Sequence, residues 1–89
     1  MSKHLGLDGF PRSKDEDETI SLNVNALFRT ANGKAVLKYL RSITIESVTG
    51  AGASDAELRH LEGQRFLVGL IERRFQHGEK VKHNGTASR

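Results

Sequence analysis

Apolar residues are concentrated between Ile20 and Phe75, and both ends of the chain are polar. Within that window the clearest periodicity lies between Ala31 and Ile43. Val36, Leu37, Leu40 and Ile43 recur at steps of three and four, and Lys34, Lys38 and Arg41 take the other side. That spacing predicts an amphipathic helix, with Thr30 as its N-cap. Upstream, Ser21 to Arg29 reads as a shorter helix at about 22–29, entered through a Ser or Asn cap, with Leu27 and Phe28 reaching the core. Downstream, Ser54-Asp55-Ala56-Glu57 has the form of a capping box that opens the longest helix, 55–77, and Gly78 is a natural stop.

The faces of this last helix carry the most information. At about 100° per residue, Leu61, Leu67, Val68, Ile71 and Phe75 form a broad stripe, expected to pack on the 31–43 helix. Phe66 and Leu70 point away from it, with Gly63 beside them. A helix that is apolar nearly all round needs cover on both sides. Either the short upstream helix or another protein must supply it, because burying a Phe and a Leu is worth roughly 3–6 kcal/mol together. Gly33 in the first turn of its helix costs about 1 kcal/mol against Ala, which suggests close backbone contact. Between the two longer helices, Thr44 to Val48 alternates weakly as if extended, and Thr49-Gly50-Ala51-Gly52-Ala53 is a flexible loop.

The fold class that follows is all-α: a small helical hairpin with a short extra N-terminal helix and extended arms at both ends. Residues 1–19 form an acidic arm, 20–77 the helical domain and 78–89 a basic tail. In the arm, Gly6, Gly9 and Pro11 break any helix and Lys14 to Glu18 reads as a solvated charge cluster, while Leu5, Leu7 and Phe10 are its apolar anchors.

Composition sharpens this picture. With 89 residues, 36% of them hydrophobic and none of them Trp, the chain has room for one domain with a thin core. It has no Cys, so neither a disulfide nor a thiolate zinc site can reinforce that core, and a partner protein is the remaining device. The first nineteen residues carry five carboxylates against three bases, and no acidic residue occurs from Thr19 to Ile45. Arg29, Lys34, Lys38 and Arg41 in that stretch, with Lys80, Lys82 and Arg89 at the end, are candidates for electrostatic or nucleic-acid contact. The segment from Met1 to Gly9 has no apolar signal region and no run reaches membrane-spanning length, so a soluble intracellular product is expected.

Catalytic chemistry finds little support. His4, His60, His77 and His83 are scattered without ligand spacing, so no metal or other cofactor is expected. The two loop glycines lack the third glycine and the Gly-Lys-Ser/Thr of a phosphate loop. No nucleophile motif is present, and Ser42, Ser47 and Ser54 have local turn or capping explanations. The expectation is a protein that is not an enzyme.

Two stretches bear on function. Leu27-Phe28-Arg29-Thr30-Ala31-Asn32-Gly33-Lys34-Ala35-Val36-Leu37-Lys38-Tyr39-Leu40 resembles the Phe-x-Thr-x-x-Gly-Lys/Arg-x-Val-Leu-x-x-Leu pattern of a family of small tailed-bacteriophage proteins named after a short Bordetella-phage protein. Leu61-Glu62-Gly63-Gln64-Arg65-Phe66-Leu67-Val68-Gly69-Leu70-Ile71 is similar to that family's Glu-Gly-x-Arg motif and the apolar helix after it. The resemblance covers about residues 24–76. It implies a helical domain encoded among virion morphogenesis genes and no known enzymatic activity.

The expected function is that of a minor structural protein of the virion, made in the bacterial cytoplasm. It would dock onto portal, neck, capsid or internal proteins in multiple copies of a symmetric assembly, with incidental contact to packaged DNA and none to membrane. Leu5, Leu7, Phe10, Phe66 and Leu70 are the partner-binding candidates. A small DNA-binding regulator and a host-directed inhibitor absent from particles are the alternatives. Gly33 and Gly63 are expected to face each other where two helices cross.

Overall fold

The computed structural model describes residues 4–87 and contains three helices: α1 (Lys14–Phe28), α2 (Ala31–Ile43) and α3 (Asp55–Ala87). The all-α class holds. Two helix boundaries differ from the expectation, each for a physical reason.

The first helix begins at Lys14, well before residue 22. Ser13 Oγ accepts the Glu16 N–H at 3.1 Å, and the Glu16 carboxylate accepts the Ser13 N–H at 3.0 Å. This is a complete capping box, and Asp15, Glu16 and Asp17 complement the positive end of the helix dipole. What reads as a solvated charge cluster is the first turn of α1. Ahead of it, residues 5–11 close into a tight turn. Leu5 and Pro11 form an antiparallel bridge, and Gly9 takes a φ of 84° that a side chain would disfavour.

The last helix does not stop at Gly78 but runs on to Ala87, so residues 78–87 belong to α3 and are not a tail. Gly78 is buried in mid-helix, where the α1 backbone crosses it. A Cβ there would lie 2.6 Å from Asn25 Cβ and closer still to the Ser21 carbonyl oxygen. Glycine here serves close approach, which the sequence pattern cannot distinguish from a stop.

The α2 bounds match the expectation, and Thr30 Oγ1 accepts the Gly33 N–H at 2.9 Å as its cap. Ser54 caps α3 by accepting the Glu57 N–H at 3.2 Å. Residues 44–46 continue α2 as a turn and are not extended.

The packing also departs from the expected hairpin. The main partner of α3 is α1, which lies across residues 74–79, and α2 touches α3 more sparsely, chiefly near Arg65 and Glu72. The molecule is flat, about 55 × 40 × 14 Å between Cα extremes, with α3 as its spine. A layer this thin has almost no interior: among the described residues Val68 is the one buried large apolar side chain. Leu27, expected in the core, is exposed, and Leu67 of the anticipated stripe is 57% exposed.

Candidate functional site

In place of an apolar core, the α1–α3 contact has a polar seam. Asp17, Ser21 and Asn25 stand at four-residue steps along α1, so they share one face, and all three are buried. Arg74 of α3, itself 3% exposed, donates from Nη1 to the Asp17 carboxylate at 2.5 Å, to the Asp17 main-chain carbonyl at 2.8 Å and to Ser21 Oγ at 3.0 Å. One turn on, Asn25 Nδ2 donates to the Phe75 carbonyl at 3.0 Å and to Glu79 at 2.6 Å. Asn25 Oδ1 is buried without a partner among the described residues.

The N-terminal turn closes over this seam. Asp8 takes a bidentate contact from Arg12 at 2.8–2.9 Å and lies 3.3 Å from Arg74. The Leu7 N–H donates to the Asp17 carboxylate at 2.9 Å. The Arg12 hydrogen bonds hold the Asp8 carboxyl at about 2, well below its ordinary value. For Asp17, burial pushes the pKa up, but the Leu7 N–H and the Arg74 guanidinium outweigh it and the net direction is down. Both groups are anions held by donors, as a buried charge requires.

Ser21 Oγ also lies 2.7 Å from His77 Nδ1, with Asp17 nearby. The residue types are those of a nucleophilic triad, but the geometry is not. Ser21 is 0% exposed, and the Asp17 carboxylate engages Arg74 and Leu7 and not the imidazole. A nucleophile must reach a substrate carbonyl, and this hydroxyl is sealed between two helices. The group clamps helices together. Among the described residues no cluster of His, Asp or Glu could hold a metal ion, and no helix is long and apolar enough to cross a membrane.

The motif residues turn out to have structural tasks. Gly33 packs against the end of α1: an added Cβ would lie 2.6 Å from Phe28 Cα and closer still to the Leu27 carbonyl oxygen. It does not meet Gly63, which has nothing within 4 Å. Arg65 reaches from α3 to the end of α2, where Nε donates to the Thr44 carbonyl at 3.0 Å and Nη2 to the Ser47 carbonyl at 2.8 Å. Glu62 steadies it at 2.8 Å. A guanidinium at a helix C-terminus satisfies carbonyls that have lost their intrahelical partners.

What remains open to a partner is apolar. On α2, Val36, Tyr39 and Ile43 form an exposed stripe beside Leu27. Next to it, Leu27, Phe28, Thr30, Asn32, Gly33 and Val36 line an open groove of about 440 Å³. On α3, Phe66 is 60% exposed and Leu70 is half-buried, so α1 does not cover that face. In the arm, Leu5 and Phe10 are exposed and Leu7 half-buried, with the Arg12 guanidinium 5.7 Å from the Phe10 ring centre.

The basic candidates divide. Arg29, Lys34 and Lys38 are exposed and form no ion pair among the described residues. Arg41 is committed within the chain, to Glu72 at 2.6 Å and Glu46 at 3.3 Å. Lys80 and Lys82 lie on α3 and not on a tail, Lys82 3.8 Å from Glu79. Arg89 lies outside the described residues.

Sequence reasoning missed the seam and the α2 stripe. The four-step spacing of Asp17, Ser21 and Asn25 was a signal for the seam, and the Ser13-x-x-Glu16 box was a signal for the helix that carries it.

No curated protein and no solved structure matches the chain significantly. The family model described as Bbp19-like phage protein matches residues 24–83, which takes in both motifs, α2 and most of α3. The chain therefore belongs to the Bbp19-like phage protein family.

Proposed function

We propose that this protein is a non-enzymatic structural component of the tailed-phage particle. It docks through the α2 stripe onto an apolar surface of another virion protein at the portal, neck, capsid or interior. The observation that carries this reading is the uncovered stripe itself. Val36, Tyr39 and Ile43 continue into Leu27 and the groove beside it. Contiguous exposed apolar surface marks a protein interface, and this domain has too little core to spare such residues.

Lys34 and Lys38 stand on the opposite side of α2 from Val36 and Ile43, so the stripe itself carries no charge. Packaged DNA would meet Arg29, Lys34 and Lys38 only incidentally, because three exposed bases make too short a phosphate track, and the apolar stripe suits a protein surface.

Mass spectrometry of purified particles tests the proposal, with phage carrying Val36→Asp and Tyr39→Asp as the second arm. The expected result is the protein at fixed copy number in wild-type particles and its loss from the variant particles. A protein abundant in infected cells but missing from particles would be a host-directed inhibitor, or a regulator if it also shifted duplex DNA with steep salt dependence. Either result would overturn the structural reading.

A further inference from the structure

The uncovered face of α3 has features that the α2 stripe does not explain. At about 100° per residue, Asp55, Phe66 and Arg73 fall within roughly 20° of one another, with Arg59, Glu62, Gly63 and Leu70 flanking them. This line lies roughly 140° around the helix from Leu61 and Val68, and about 100° from Arg65 and Glu72, which meet α2 and its C-cap. From Ser54 to His60 every residue is exposed, and Phe66 is 60% exposed. Asp55 and Arg73 are both exposed, and neither forms an ion pair among the described residues. Gly63 is exposed too, with nothing within 4 Å of where its Cβ would be, so no contact inside the chain explains a glycine there.

We propose that this face is the contact between two copies of the chain, paired antiparallel along α3 about a two-fold axis near residue 64. The charge pattern selects this occupant. Asp55 and Arg73 stand about five helical turns apart on one line, with the aromatic ring between them. A two-fold near the midpoint reverses that order on the facing helix, so each Asp55 meets the other copy's Arg73, and the face is its own complement. The two Phe66 rings flank the axis. Each enters the space that Gly63 of the facing helix leaves open, which lets the helices approach to the short end of the usual 8–10 Å range. Leu70 packs on the aliphatic stem of the other copy's Arg59. The pairing uses none of the α2 stripe, so it stands whatever that stripe binds.

Sedimentation equilibrium of the full chain tests it, with circular dichroism to confirm that each variant keeps its helices. The wild type is expected to be a dimer, and Phe66→Glu to weaken the dimer about a hundredfold or more. Asp55→Arg and Arg73→Asp, each alone, are expected to raise the dissociation constant at least about tenfold, and the double reversal to restore most of the loss. Arg73→Asp lies away from both helix ends, so its effect does not pass through the helix dipole. A wild type that stays monomeric up to millimolar concentration would overturn the proposal. So would a dimer indifferent to Phe66→Glu, or charge reversals that do not rescue each other.

Discussion

Arg74 Nη1 binds the side chain and the main-chain carbonyl of the same residue, Asp17, at 2.5 and 2.8 Å, with both groups shut away from solvent. This double contact fixes where α1 sits on α3, since a shift of one residue would part the buried guanidinium from the Asp17 carboxylate, the Asp17 carbonyl and Ser21 Oγ together. Buried ion pairs contribute little net stability when complete, but removing one partner strands the other. Asp17→Asn and Arg74→Ala are each expected to cost about 3–5 kcal/mol in urea unfolding. The double variant Asp17→Leu with Arg74→Met should recover most of that loss, because two apolar groups of similar size leave no stranded charge. A double variant as unstable as the singles would show that the seam works through something other than the charge pair.

The two glycines of the family motifs should respond in opposite ways to alanine. At Gly33 the new methyl group collides with the Leu27 carbonyl and Phe28, so the gain in helix propensity is overridden and the domain should lose about 1–3 kcal/mol. At Gly63 the methyl meets nothing, and the same change should add about 1 kcal/mol. The comparison is made by thermal unfolding in a Phe66→Glu background, so that self-association does not enter. Equal effects at the two positions would contradict the packing described.

Acid should loosen the N-terminal turn and α1 first. The Asp8 pKa is lowered to about 2 and that of Asp17 is also lowered, so each stabilises the fold when ionised. A depressed carboxylate contributes fully above its unfolded value near pH 4, and the contribution disappears as pH falls toward the folded value. The urea midpoint is therefore expected to drop steeply between about pH 4 and pH 2. Asp8→Asn should flatten that drop, and a drop as steep in Asp8→Asn as in the wild type would contradict the contacts described.

Arg65 ties the loop after α2 to the spine through two carbonyls, those of Thr44 and Ser47. A planar fork reaches both, and a lysine ammonium on a flexible stem does not hold the same geometry. Arg65→Lys should cost about 1–2 kcal/mol and speed hydrogen exchange at the end of α2 and in residues 45–53. Exchange in α1 should be unaffected. Uniform acceleration across the chain would indicate a global effect and not the local tie described.

Much of this protein was legible before folding. The three- and four-residue steps of Val36, Leu37, Leu40 and Ile43, and the caps at Thr30 and Ser54, are local signals. They depend on backbone geometry and on hydrogen bonds within one turn, so α2 and the start of α3 follow from them. The family motifs are local in the same sense. The surplus of apolar surface around Phe66 was legible too, because the circumference of a helix depends only on its own sequence.

Which element covers which face was decided by tertiary structure alone. A periodicity names a face but not its partner, and here α3 took α1 where α2 was expected. That choice rests on a seam of Asp17, Ser21, Asn25 and Arg74, polar residues that hydropathy assigns to solvent. Their burial is affordable only because each charge finds its counterpart across two helices far apart in sequence. Gly78 makes the same point: a glycine permits either a stop or a close crossing, and only the backbone of Ser21 lying against it settles which.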